Sequence, residues 1–288
     1  MIALLATARG LHIASLMTIF GGGTYAALLR RTGLPGPPAK AARLLFGIAA
    51  TLALVSAIAW FCLIAGQMSG RSEGSLDPAI LRLAAFDTRF GQIFLGRLSG
   101  LIVLWLICAL GNGSDRISIA VLAGALLALL GSVSHAAAGG GDIAGAANDA
   151  AHLLAAGFWL GGLVVLIMFV RRHWTDATPL LVALRLFSIW GTPVVAVLVI
   201  TGLFNAISIL PLSMMSLRNP YFDLLLVKVG LASVMIGLAA MNRWHFAPAL
   251  RSGGDKATRY LAYSVSIEIG LGCTVVAVAA CLGLTSPH

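Results

Sequence analysis

Charge is what this sequence has least of. Only 10% of its 288 residues are Asp, Glu, Lys or Arg, against roughly 25% in a soluble domain that must cover its surface with them. That shortage, with 59% hydrophobic residues and a mean hydropathy of +0.98, excludes an ordinary soluble fold and leaves most of the surface facing lipid. Acids are scarcest, with ten Asp+Glu against 19 Lys+Arg. The basic excess does not indicate a nucleic-acid partner, because the basic residues sit in short connections between apolar runs, where membrane topology explains them. Cysteine is also sparse. Cys62, Cys108, Cys273 and Cys281 lie within apolar stretches without CxxC spacing, which excludes a disulfide framework and reads as small packing residues. The glycine runs at 21–23 and 139–142 lack the lysine-serine pair and preceding strand of a phosphate loop. No nucleophile–base–acid arrangement stands out, so an enzyme is not expected. The amino terminus lacks a basic n-region and a cleavage site, and the first apolar run reads as a retained span.

Roughly 20 apolar residues cross a hydrocarbon core about 30 Å thick. Eight runs qualify, at about 10–29, 44–67, 90–110, 117–138, 150–170, 186–210, 221–244 and 260–284. The expected fold is therefore an all-α integral membrane protein of about eight transmembrane helices. Arg30, Arg31, Lys40 and Arg43 fill the first connection, Arg171, Arg172 and Arg185 the fifth, and Arg243, Arg251, Lys256 and Arg259 the seventh. Placing these basic loops in the cytoplasm puts both termini outside. The second connection, with three arginines and three acids, fits this scheme least well.

The halves of the chain echo each other. His12 is followed nine residues later by Gly21-Gly22 and then by Arg30-Arg31; His152 is followed nine residues later by Gly161-Gly162 and then by Arg171-Arg172. Leu45-Phe46 through Thr51 matches Leu186-Phe187 through Thr192, and Arg97 matches Lys228. Spans four and eight share little beyond Arg116 and Arg259. Two parallel four-helix repeats are expected, 1–138 and 139–288, related by an axis along the membrane normal with a site near their interface.

Ionisable groups inside a span are costly and mark candidate sites. His12, His135 and His152 fall at one level near the outer face. Neutral imidazole suits copper, and Met68, Met214 and Met215 offer thioethers that suit Cu(I). Each histidine can equally serve only as a hydrogen-bond partner to a neighbouring carbonyl, and the methionines as packing. Arg97 and Lys228 either snorkel outward or pair with an acid. Glu268 is the one carboxylate deep in a span; ion-pair partner, proton relay and protonated hydrogen-bond donor all remain open for it. Asp149, one turn before His152, either orients that imidazole or caps its helix, as Asn148 also would, and the cap is the stronger expectation. Gly157-x3-Gly161 and Gly96-x3-Gly100 are expected to let helices approach closely.

Taken in order, several motifs resemble the CopD family of copper-handling membrane proteins. They are Phe86-Asp87-Thr88-Arg89-Phe90-Gly91 with Arg97, Ser134-His135-Ala136, Asp149 to His152 with Trp159 to Gly162, and Arg185-x-Phe187-Ser188. Thr201-Gly202 with Asn205, Tyr221 with Lys228, Asn242-Arg243 with Pro248, and Glu268 continue the likeness over nearly the whole chain. Phe222-Asp223 departs from the Tyr-Gly pair more frequent in that family. The resemblance implies a multi-pass protein of the bacterial inner membrane that takes copper from a periplasmic carrier of the CopC type. His135 and His152 then become the leading ligands and His12 the third. Each half is also similar to haem-associated protoporphyrinogen oxidases of the HemJ type. This implies haem b on His12 or His152 as an alternative, with a non-catalytic assembly subunit as a third reading. A homo-oligomer is compatible with each.

Overall fold

The computed structural model describes residues 1–34, 36–70, 76–111, 116–131, 143–209, 220–251 and 255–285. Among these residues the protein is all helical. The helices are α1 (Ile2–Arg31), α2 (Ala39–Met68), α3 (Pro78–Phe86), α4 (Arg89–Leu110), α5 (Arg116–Ala128), α6 (Ile143–Arg172) and α7 (Ala177–Ile209). They continue as α8 (Pro220–Met241), a π-helical turn at Asn242–Phe246, α9 (Ala247–Arg251) and α10 (Asp255–Leu282). Among the described residues seven spans are long and apolar enough to cross a membrane: α1, α2, α4, α6, α7, α8 with its continuation, and α10. The protein is an all-α, multi-pass integral membrane protein.

The fourth expected span differs from the rest. Its described part, α5, has 13 residues, about 20 Å of helix at 1.5 Å per residue. The second connection contains α3. Asp77 caps it by accepting from Ala79 N–H at 2.9 Å, with Pro78 in the first turn. Thr88 then caps α4 by accepting from Gly91 N–H at 2.9 Å. Other helix ends follow equally local rules. Gly33 (φ 77°) and Gly70 (φ 69°) take the left-handed conformation just past α1 and α2, where a side chain would be strained.

In the membrane, association rests on packing and hydrogen bonds rather than on hydrophobicity. The centre of the bundle is the crossing of α1 and α6, the helices that carry His12 and His152. A Cβ on Gly21 would stand 2.0 Å from the Gly157 carbonyl oxygen, and one on Gly161 would stand 2.2 Å from the Met17 carbonyl oxygen. These are backbone-to-backbone contacts that only glycine permits. The second small-residue motif does not behave this way. Gly96 faces open space, and Gly100 lies against the Leu126 side chain. Around the central crossing, α2 and α5 pack on α1, while α7 and α10 pack on α6. The α1 and α6 helices also meet the last helices of the opposite sets, α10 and α5 respectively. Ile200, Leu203 and Ile207 on α7 are exposed, as a lipid-facing surface requires.

The two sides of the bundle are not alike. On one, α2 packs along α4, and Phe61 stacks on Phe94 (4.3 Å) and Phe90 (6.0 Å) between them. On the other, α7 and α8 stand apart, leaving a cleft of about 780 Å³ lined by α6, α7, α8 with its π turn, and α10.

Candidate metal-handling site

His12 is fully buried on α1, and both of its ring nitrogens are engaged. Nδ1 lies 2.9 Å from the Ala53 carbonyl oxygen, and Nε2 lies 2.9 Å from Nη2 of Arg97 on α4. A carbonyl only accepts and a guanidinium only donates. The imidazole is therefore the neutral Nδ1–H tautomer, with its Nε2 lone pair spent on Arg97. Arg97 is itself buried, so the arginine does not snorkel to the interface. It pairs with a histidine rather than with an acid. Trp60 closes the other side of the imidazole, with ring centroids 6.0 Å apart.

His152, the matching residue of α6, is half-buried and differently held. Its Nδ1 lies 2.8 Å from Thr201 Oγ1 on α7. The Thr201 hydroxyl donates its own proton to the Val197 carbonyl at 2.6 Å, so it accepts from His152 Nδ1–H. This fixes the same tautomer and directs the Nε2 lone pair away from Thr201, with no hydrogen-bond partner among the described residues. Gly202 leaves room for the ring, since a Cβ there would lie 3.7 Å from His152 Cε1.

A polar network surrounds that imidazole. Asn148 Nδ2 donates to Asn205 Oδ1 at 2.6 Å and to the Thr201 carbonyl at 3.2 Å, and Asn205 Nδ2 donates to Asp149 Oδ1 at 2.8 Å. Because α6 begins at Ile143, Asn148 and Asp149 lie inside the helix and reach across to α7. The helix-cap expectation is corrected on that ground. Asp149 interacts electrostatically with Arg9, Tyr221 and Lys228, and Lys228 acts on His152 as well. Lys228 thus stands among charged and polar groups of the cluster, whereas the matching Arg97 closes on its histidine.

The other expected positions lie elsewhere. Met68 ends α2 and is exposed. His135, Met214 and Met215 lie outside the described residues. Glu268 is buried on α10 and accepts from Asn242 Nδ2 rather than from a basic group among the described residues. Among the described residues no group of three or more His, Cys, Asp or Glu gathers in metal-binding geometry. Two facing imidazoles with free nitrogens, as bis-histidine haem ligation needs, are not present among them either, since His12 has none to spare.

Sequence reasoning assigned no role to Thr201, Asn242 or Arg9. Thr201 and Asn242 stood within motifs of the family resemblance, and Arg9 precedes His12 by three residues, as Asp149 precedes His152.

The sequence comparisons agree with this architecture. A family model described as "Copper resistance protein D-like, N-terminal domain" matches residues 1–146. The chain belongs to the copper resistance protein D family. A second model, "Copper resistance protein D", matches residues 181–282. Among similar proteins, Inner membrane protein YebZ of Escherichia coli (strain K12) is 28% identical over 284 residues, 97% of each chain. Copper resistance protein D of Pseudomonas syringae pv. tomato is 28% identical over 289 residues, 94% of this chain and 91% of that one. Copper transport protein CutJ of Bacillus subtilis (strain 168) is 28% identical over 211 residues, 69% of this chain and 39% of that one. No solved structure matches.

Proposed function

We propose that this protein takes copper at the end of the bundle that carries His152 and passes it across the bacterial inner membrane, as part of copper homeostasis. The observation that carries this reading is the state of the two imidazoles. His152 has Nδ1–H committed to Thr201 and an Nε2 lone pair without a partner among the described residues, while the His12 lone pair is consumed by Arg97. An imidazole whose far N–H is held by a neighbouring acceptor is the usual form of a metal-ligating histidine. The names of the relatives and the family support copper as the cargo.

One imidazole does not complete a copper site. His135 precedes α6 in the chain, and Met214 and Met215 lie between α7 and α8. These are the further ligands we assign, with imidazole and thioether both suited to copper. With the basic connections in the cytoplasm, His152 faces the periplasm and both termini lie outside. A periplasmic carrier of the CopC type is then the natural donor. The acid and amides around His152 orient and solvate the entry site, and Lys228 offsets the charge of Asp149.

The test is copper retention by detergent-purified protein, measured by elemental analysis together with an absorption spectrum. Wild type is expected to hold copper without a Soret band, and His152→Ala to lose it while remaining folded. A strong Soret band with stoichiometric iron, or full copper retention by His152→Ala, overturns the reading. Thr201→Val removes the acceptor of Nδ1–H without touching the ligating nitrogen. It is expected to weaken copper binding by roughly 10–100-fold, the usual effect of losing a group that orients a ligand, as read by competition with a copper chelator.

A further inference from the structure

One buried pair in the middle of the bundle has a hydrogen-bond inventory that does not close. Glu268, on α10, is 1% exposed. Its Oε1 accepts from Asn242 Nδ2, but among the described residues neither the buried Oε2 nor the buried Asn242 Oδ1 has a donor. Trp159 acts on the carboxyl as a second side-chain donor, yet no hydrogen bond of ordinary geometry reaches Oε2. An unpartnered buried acceptor is costly, and more so when charged, so two on one pair call for a missing component. The charged side chains lining the adjoining cleft are Arg185 on α7 and Arg243 in the π turn. Both are exposed, and Arg243 donates instead to Thr192 Oγ1 at 2.7 Å. α6 and α8 contribute no charged group to that lining.

A single proton closes the inventory. Placed on Oε2, it neutralises the carboxylate and turns that oxygen from an orphaned acceptor into an O–H donor, for which Asn242 Oδ1 is the unfilled acceptor of the same pair. Acid and amide then complement each other, with N–H donating to Oε1 and O–H available to Oδ1. The backbone at this point is also unusual. Asn242 opens the π turn, closed by Ala247 N–H donating to the Asn242 carbonyl. Pro248 has no N–H to offer the carbonyl four residues back, at Trp244, which favours a wider turn here. The pair stands at the edge of the 780 Å³ cleft between α7 and α8. On the opposite side of the bundle α2 and α4 are packed together, with stacked phenylalanines between them.

We propose that Glu268 and Asn242 form a one-proton binding site whose proton exchanges with solution through the cleft between α7 and α8. The proposal goes beyond the copper reading and does not depend on it. Infrared difference spectra of the full chain in detergent, without copper, test it in H2O and D2O for wild type, Glu268→Gln and Asn242→Leu. Wild type at neutral pH is expected to show the carbonyl band of a protonated carboxylic acid that shifts within minutes in D2O. The band is expected to vanish in Glu268→Gln and to move to higher frequency in Asn242→Leu, where Oε1 loses its donor. No acid band in wild type, or one that survives Glu268→Gln, overturns the site. A band that Asn242→Leu leaves in place overturns the pairing, including when Glu268→Gln does not fold, and a band insensitive to D2O overturns exchange through the cleft. His152→Ala is expected to keep the band whatever its copper content, so failure of the copper reading and failure of the proton site give different results.

Discussion

In detergent, His12→Ala is expected to melt well below wild type while its folded fraction keeps its copper, and His152→Ala to show the opposite pattern. The difference lies in what each imidazole does for its neighbours. Removing His12 deletes the Nδ1–H bond to Ala53 and the acceptor of a buried guanidinium, and leaves a hole beneath Trp60. Arg97 Nε already lacks a partner, so the truncation would leave the cation still poorer in hydrogen bonds. A hydrogen bond to a charged group contributes about 1.5–3 kcal/mol and a neutral one about 1 kcal/mol, so a loss of about 3 kcal/mol is expected. His152 is half-buried, and its one bond is to a hydroxyl that already donates elsewhere. Its truncation strands only a hydroxyl lone pair. Arg97→Met added to His12→Ala should recover part of the loss, because no buried cation then remains unpaired. That non-additivity is the signature of a direct pair. Equal stability of wild type and His12→Ala, or copper lost with His12 and kept without His152, would show that the two roles have been assigned the wrong way round.

Much of this arrangement was legible in the chain, and the reasons differ from element to element. Hydropathy gives the long spans because a lipid environment demands continuous apolar runs. For the fourth run, 117–138, the described helix spans Arg116–Ala128, and positions 132–138 lie outside the described residues. The pairing of His12 with His152 and of Gly21 with Gly161 pointed to α1 and α6 as matched helices, and those two helices form the central crossing. What a repeat conceals is where its copies diverge. Arg97 and Lys228 occupy matched positions and both are cations, yet the longer, forked arginine reaches its histidine, while the lysine stands among Asp149 and its neighbours. The matched segments of α2 and α7 also place Trp60 where Thr201 stands, a large indole against a small hydroxyl. That difference decides whether the Nδ1–H meets a side-chain hydroxyl, as in His152, or a backbone carbonyl, as in His12. Glu268 was visible as an isolated acid, but its partner was not, because Asn242 reaches it from a π turn that neither hydropathy nor helical periodicity predicts.

The crossing itself gives the largest expected effect of any single substitution. In Gly161→Val the new Cβ would lie 2.2 Å from the Met17 carbonyl oxygen, 2.7 Å from Gly22 N and 2.9 Å from Gly21 Cα. All three are backbone atoms, so no rotamer change relieves the clash, and α1 and α6 must separate. Separation would in turn open contacts on both sides, since α2 and α5 rest on α1, and α7 and α10 on α6. The cost should therefore exceed the roughly 1–3 kcal/mol of an ordinary overpacked core. The expected result is little or no monodisperse protein on size exclusion and rapid proteolysis of what is inserted. Gly96→Ala and Gly191→Ala are the matched controls. Both positions are helical with open space where the Cβ would go, and both should fold at least as well as wild type, with a gain of up to about 1 kcal/mol from helix propensity. A well-folded Gly161→Val protein would mean that α1 and α6 are not in backbone contact. With that contact gone, nothing would hold the closed imidazole of α1 and the open one of α6 in one shared frame, and the division of labour between His12 and His152 would lose its structural basis.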